Sequence, residues 1–195
     1  MRQTFPILLL LICGLSFSQE TGKTVAEKIV EAALFRATQT VRYVPDYVVL
    51  DYPGGDVPAD TGVCTDVVIR TYRALGIDLQ KLVHEDMRRN FSAYPKNWGL
   101  RRADKNIDHR RVPNLQRFFK RQGAELSLDG NEPFLPGDIV AWDLNGKGLT
   151  HIGVVVGDDE FVHNIGAGPE KDQGIKNESW KLIGHYRYHP DITPN

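Results

Sequence analysis

The sequence predicts a single α+β domain, with helices in its first two thirds and an antiparallel sheet in its last third. Two patterns lead to this prediction. Apolar residues first recur at helical spacing, and short apolar runs separated by glycine-containing turns then follow. The composition, with 41% hydrophobic and 25% charged residues, is that of a globular protein. Because no repeat, low-complexity tract or linker divides the chain, we expect one domain at residues 19–195.

The first eighteen residues have the pattern of a signal peptide. Arg2 supplies positive charge, residues 6–17 form an apolar run too short to span a bilayer, and small residues at 16 and 18 suit a signal peptidase. Lipidation of Cys13 is the less favoured alternative, because Ile12 occupies a position that needs a small residue. We therefore expect a periplasmic or secreted protein. No later apolar stretch is long enough to predict a transmembrane segment.

Four helices are expected. Thr24 and Glu27 form a capping-box pattern at the start of the first helix. Cys64 opens the second helix, which ends before Gly76, and Pro113 suits the first position of the fourth. The expected helical ranges are 24–41, 64–75, 79–90 and 113–122, with an extended segment at 43–52.

Four strands are expected after the helices. They cover residues 138–143, 151–157, 160–163 and 182–188. A turn at Gly157-Asp158-Asp159 would join the second and third of these strands as a hairpin. His151 and His163 lie on either side of that turn, so the hairpin would bring the two imidazoles close together.

Cys64 is the first candidate for chemistry. Since Cys13 would leave with the signal peptide, Cys64 has no disulfide partner in the mature chain. An unpaired cysteine in an exported protein indicates intermolecular pairing or a thiol with a chemical use, the alternative being a buried cysteine that acts as a small hydrophobe. At the first turn of a helix, we expect the helix dipole to lower the thiol pKa and the backbone N–H to help form an oxyanion hole.

The two histidines complete a candidate triad. His151 would take the proton of the Cys64 thiol, and His163 would orient and polarise the imidazole of His151. The alternative for either histidine is a structural role at a strand end. One cysteine and two histidines could also bind zinc, but the close-spaced ligand pairs of such sites are absent, so we expect no metal and no cofactor.

The order of motifs resembles that of NlpC-type cell-wall peptidases. These motifs are Tyr52-Pro53-Gly54-Gly55, Gly62-Val63-Cys64-Thr65-Asp66, Pro136-Gly137-Asp138-Ile139-Val140, His151-Ile152-Gly153-Val154-Val155-Val156 and His163. The segments Trp98-Gly99-Leu100 and 106–115 are more similar to the bacterial family called domain of unknown function 1287. The resemblance spans roughly residues 45–188.

The resemblance implies a papain-like, NlpC-type α+β fold. It also implies that Cys64 is the nucleophile, His151 the base and His163 the third polar residue, with Tyr52 lining the site. Asp66 is a departure, because the better-studied branch has a small residue there, and we include Asp66 among the substrate-binding candidates. Peptidoglycan, or another peptide-like amide, is the implied substrate, and we expect a monomer. The alternatives are an acyl transferase and a non-catalytic cell-wall binding module.

A basic segment supplies further candidates. Residues 88–121 hold eleven Lys and Arg against two Asp, a local balance of +9 in a chain whose net charge is −1. Arg101, Arg102, Arg110 and Arg111 could pair with the carboxylates of stem peptides, or instead form a solvated or internally paired surface. His109 lies among them and could line the site. The segment lacks aromatics interleaved on strands, so we do not expect nucleic-acid binding.

Overall fold

A computed structural model describes residues 22–191. The predicted signal peptide at residues 1–18 lies outside this range, and so do Gln19 and the last four residues. The division into a signal peptide and one domain therefore stays a prediction. Within the described range, no helix is both long and apolar enough to cross a bilayer.

The four predicted helices are present. Thr24 caps α1, and both hydrogen bonds of its capping box with Glu27 are made. Proline occupies the first turn of α4, as predicted. Short 3-10 turns lie between α3 and α4, at Phe91–Ala93, Asn97–Gly99 and Asp108–Arg110. The helix bounds are α1 Val25–Ala37, α2 Cys64–Ala74, α3 Leu79–Arg89 and α4 Val112–Arg121.

The main sheet has five antiparallel strands in the order β6-β5-β4-β3-β7. Four of them match the predicted strands closely, so the predicted α+β class is confirmed. Two further strands, which lie between α1 and α2 in the chain, pair in parallel and were not predicted. The bounds are β1 Arg42–Tyr43, β2 Thr61–Gly62, β3 Ile139–Asp143, β4 Thr150–Gly157, β5 Glu160–Asn164, β6 Pro169–Gln173 and β7 Lys181–Tyr186.

Strand β6 was also missed by the sequence patterns. It lies at an edge of the sheet, where four of its five residues are exposed, so it carries no alternation of apolar and polar residues. Its proline and charged side chains suit an edge strand, because they discourage pairing with another chain. The strand nevertheless matters for the site, since it lies beside β5 and its Glu170 is the cross-strand partner of His163.

The sheet separates two apolar clusters. One face packs on the helices, with Ile29, Val68, Leu115 and Ile152 among the fully buried residues of that cluster. The other face carries a smaller cluster that includes Trp142, Phe161 and Ile175, with Trp180 packed against it. Strands β3 and β4 are therefore buried on both faces, which explains their nearly continuous apolar sequences.

Gly153 allows β4 and β5 to carry their histidines close together. Val154 of β4 lies opposite Val162 of β5, so Gly153 lies beside His163. A methyl group on Gly153 would lie 3.0 Å from the Val162 carbonyl oxygen, 3.3 Å from the Trp142 ring and 3.4 Å from the His163 Cβ. The glycine is thus required for packing.

We expect Gly153→Ala to destabilise the protein by about 1–3 kcal/mol, because the added methyl overpacks a site bounded by backbone. Urea unfolding measures the change. Gly22→Ala is the matched control, since a methyl there meets nothing within 4 Å, and it should shift the unfolding free energy by less than about 0.5 kcal/mol. Equal effects of the two substitutions would contradict the packing argument.

Candidate active site

Cys64 is the first residue of α2 and is 6% exposed. The backbone N–H groups of Ile152, the residue after His151, and of Thr65 and Cys64 itself favour the thiolate and act to lower the pKa of the thiol. Burial nevertheless raises the pKa of the Cys64 thiol to about 11, and the charge of Asp66 adds to the rise. The lowered thiol pKa expected from the helix start is therefore wrong for this closed site, because loss of hydration outweighs the N–H groups.

The structure brings the two predicted histidines together. His151 lies near the start of β4 and His163 near the end of β5, and both are buried. His151 Nε2 is 2.8 Å from His163 Nδ1, within hydrogen-bonding distance. Because this contact occupies Nε2, only Nδ1 of His151 remains to accept a proton. The hairpin prediction accounts for the contact, whereas the catalytic roles of both residues stay predictions.

Aromatic rings surround the histidine pair. Trp142 stacks on His151 at a centroid distance of 5.8 Å, and Trp180 contacts both imidazoles at 5.6 Å. Burial lowers the pKa of His151 to about 3, with His163 adding to the effect. Burial also lowers the pKa of His163, although Glu170 and Asp172 act in the opposite direction. Both imidazoles are therefore neutral near pH 7.

The outer nitrogen of His163 faces the carboxylates of β6. His163 Nε2 is 3.7 Å from Asp172 Oδ2 and 3.9 Å from Glu170 Oε1, and it has no hydrogen-bond partner within residues 22–191. A consistent tautomer follows from these contacts. His151 donates from Nε2 to His163 Nδ1, and His163 carries its proton on Nε2, toward the two acids. This arrangement leaves His151 Nδ1 free to act as a base.

Tyr43 is the tyrosine beside Cys64. Its pairing with Gly62 across β1 and β2 brings its hydroxyl group near the Cys64 thiol. Burial raises the pKa of Tyr43 to about 12, and the neighbouring Cys64 adds to the rise. Tyr43 also borders a cleft of about 180 Å³ next to Cys64, here called the Cys64 cleft, which Trp98 and Thr150 also line.

The structure places Tyr52, the tyrosine that the resemblance implied would line the site, in a different environment. Its ring packs edge-on against His84 with centroids 5.3 Å apart, and its hydroxyl lies 3.5 Å from Glu85. It is not among the residues that line the Cys64 cleft. The motif position of Tyr52 did not predict this, because the parallel pairing of β1 and β2 brings an earlier tyrosine, Tyr43, to Cys64. The sequence around Tyr43 has no pattern that predicts this pairing.

Asp66 and Arg110 form a buried, bidentate ion pair. Arg110 Nε donates to Asp66 Oδ1 and Arg110 Nη2 to Asp66 Oδ2, both at 3.0 Å. Asp66 Oδ2 also accepts the N–H of Val63 at 2.7 Å, and Arg110 donates to the Asp46 carbonyl. Both were predicted to bind substrate. Because their side chains are only 3% and 2% exposed and are paired with each other, the geometry instead supports a role in positioning the start of α2.

The other two candidates lie in different surroundings. His109 is buried, and burial lowers its pKa to about 3, so it is a neutral core residue. Arg111 lies at the Cys64 cleft, where its guanidinium group stacks 4.2 Å above the centre of the Trp98 ring. Among the arginines predicted to bind substrate, Arg111 is therefore the one best placed to contact a ligand in the Cys64 cleft.

We expect Arg110→Ala to cost about 3–5 kcal/mol of unfolding free energy, since it leaves the Asp66 charge buried without its partner. Arg42→Ala is the control. It removes an ion pair with Asp60 whose side chains are 68% and 64% exposed, and it should cost less than about 1 kcal/mol. Urea denaturation of both variants decides, and similar losses would show that the buried pair does not brace the helix start.

Comparisons with known proteins agree with the motifs. The family model described as Domain of unknown function (DUF1287) matches residues 30–188. An uncharacterized protein of Escherichia coli strain K12, YijF, is 49% identical over 167 residues, which cover 82% of this chain and 80% of the relative.

A solved structure, NlpC1 from Trichomonas vaginalis, is similar with a TM-score of 0.50 at 17% identity. The match covers 87% of this chain but 46% of that one, so this chain spans about half the length of that protein. At this identity the likeness speaks for the fold alone, and it confirms the predicted papain-like, NlpC-type α+β architecture. By the family match and the E. coli relative, the chain belongs to the DUF1287 family.

Proposed function

We propose that this protein is an exported cysteine hydrolase that cleaves an amide bond in the peptide part of peptidoglycan. Cys64 is the nucleophile, His151 the general base and His163 the residue that orients it. The observation that carries the proposal is that three features adjoin one another. They are the Cys64 thiol at the start of α2, the backbone N–H of Ile152 that acts to lower the pKa of this thiol, and the contact of 2.8 Å between His163 and His151, the residue before Ile152.

The resting site holds a neutral thiol and a neutral imidazole, since burial opposes both charged forms. We therefore assign His151 Nδ1 to take the thiol proton as the sulfur attacks the substrate carbonyl. The imidazolium formed on His151 keeps its Nε2 hydrogen bond to His163. Asp172 and Glu170, beyond His163, stabilise that positive charge at longer range.

The rest of the cycle follows from the same groups. Attack of the sulfur on the carbonyl carbon forms a tetrahedral oxyanion. We assign the backbone N–H of Cys64 to stabilise it, with the Tyr43 hydroxyl near the same sulfur. Collapse expels the amine, which takes the proton from His151 and leaves a thioester on Cys64. Water then attacks the thioester, and His151 accepts its proton. The C–S bond breaks to release the acid, and His151 returns the proton to the departing sulfur, which restores the thiol.

A non-catalytic binding module is the second candidate, and the burial of Cys64 is the observation that favours it. An enzyme must open this site enough for a carbonyl carbon to reach the sulfur, whereas a binding module need not. The predicted location outside the cytoplasm rests on the signal-peptide pattern and applies to both candidates.

We expect Cys64→Ala to abolish release of soluble peptides from purified cell-wall sacculi, a loss of at least about a thousandfold. His151→Ala should lower the rate by about 10²–10⁴, the usual contribution of a general base. Mass spectrometry of the released fragments identifies the bond. Each variant should retain its unfolding midpoint within a few degrees and still sediment with sacculi. A Cys64→Ala variant as active as the parent chain would leave the binding module as the function.

The thiol pKa has its own test. A pKa raised to about 11 means that thiolate accumulates only in strongly alkaline solution, so alkylation of Cys64 by iodoacetamide should rise up to about pH 11. At pH 7 it should be on the order of a hundredfold slower than that of free cysteine, whose pKa is about 8.5. Peptide mass spectrometry separates Cys64 from Cys13. A rate that is constant from pH 6 to 8 would instead show a preformed thiolate–imidazolium pair.

A further inference from the structure

A second, larger cleft adjoins the Cys64 cleft. Its volume is about 970 Å³, within the range of ligand-binding sites. Trp98 lines both clefts, so they meet at this side chain. We call the larger one the basic cleft, because its lining includes four cationic side chains, Arg88, Arg101, Arg102 and Lys105.

The ion pairs of the surface do not include these four cations. Some exposed lysines elsewhere pair with nearby carboxylates, as in Lys23–Glu31, Lys120–Glu125 and Lys171–Glu160, whereas others form no ion pair within residues 22–191. None of the four cations of the basic cleft forms an ion pair with a carboxylate of residues 22–191.

The one carboxylate that lines the basic cleft does not neutralise it. Asp104 accepts hydrogen bonds from the Tyr47 hydroxyl at 3.0 Å and from the backbone N–H of Asn106 at 2.9 Å. Four cations against one carboxylate leave the cleft with an excess of positive charge. Clefts lined by one sign of charge concentrate ligands of the opposite sign.

The junction between the clefts is held in an unusual backbone conformation. Trp98 has φ of 60°, in the left-handed region that a bulky residue rarely adopts, and its side chain is 59% exposed. Arg111 stacks on its ring, which leaves the indole standing between the two clefts. Strain of this kind is maintained where the surrounding structure needs the side chain in one position.

We propose that the basic cleft binds free carboxylates of the substrate, on the part of the peptide that extends past Trp98 from the bond held at Cys64. This inference rests on the proposed function and names its substrate class, a peptide with at least two free carboxylates. Guanidinium groups suit this task, because their paired N–H donors match the two oxygens of a carboxylate. The exposed Trp98 ring and the positive charge would also suit a nucleic acid. A peptide is favoured because the basic cleft is continuous with the Cys64 cleft, where the amide bond is held in the proposed function.

The test combines a charge-removal variant with two forms of one ligand. Muropeptides released from sacculi by a muramidase are used with free carboxylates or after amidation with carbodiimide and ammonia. Binding is measured by calorimetry with the full chain carrying Cys64→Ala, so that no turnover is needed. Adding Arg101→Gln and Arg102→Gln should weaken binding of the free form about tenfold and leave the amidated form unchanged. Salt should weaken binding of the free form only.

The control variant carries Lys28→Gln and Lys181→Gln, two exposed cations outside both clefts, and it should bind both forms like the parent. Equal binding of the free and amidated forms would overturn the proposal, as would tighter binding of an oligothymidylate than of muropeptides. The outcomes separate the two proposals. If the wild-type protein hydrolyses sacculi but the arginine substitutions do not change binding, only the carboxylate subsite is contradicted. If binding depends on the arginines but no hydrolysis occurs, only the proposed enzyme activity is contradicted.

Discussion

Asp66 and Arg110 form the buried ion pair on which the position of Cys64 depends. Asp66 is the third residue of α2, and it also accepts the N–H of Val63, so one carboxylate holds the turn that presents Cys64. Arg110 connects this turn to the Asp108–Arg110 segment and to the Asp46 carbonyl. A buried charge that loses its partner is costly, so the pair is strongly maintained once formed. The ion pair therefore gives a structural reason for Asp66, the residue at which this chain departs from the better-studied NlpC-type branch.

The surroundings of Cys64 and His151 bear on how a buried thiol would react in the proposed mechanism. Burial keeps both Cys64 and His151 uncharged at rest. In the proposed mechanism, charge separation has to be stabilised at the moment of proton transfer, and we assign this task to the chain of contacts from His151 through His163 to Asp172 and Glu170. The carboxylates come from β6, an exposed edge strand. Carboxylates on the exposed edge of the sheet thus face an imidazole in its buried centre.

Much of the fold was accessible from local patterns. The four helices and the strands β3, β4, β5 and β7 each bury apolar side chains at a regular spacing, so hydrophobic periodicity detects them. The strands β1, β2 and β6 were missed for the opposite reason, because they are very short or exposed and bury little apolar surface. The missed strands bring Tyr43 to Cys64 and two carboxylates to His163. The parts of the site that depend on them were therefore not predictable.

By itself the sequence determined the class of fold, the helix that begins at Cys64, and the hairpin that pairs His151 with His163, because each follows from local spacing and turn residues. The tertiary structure decided what surrounds them. Tyr43, and not Tyr52, lies beside Cys64, and Asp66 and Arg110 pair with each other. Burial raises the pKa of the Cys64 thiol, whereas the helix start alone suggested a lower value. The physical reason is that burial, ion pairing and hydration depend on residues distant in sequence, which no local pattern encodes.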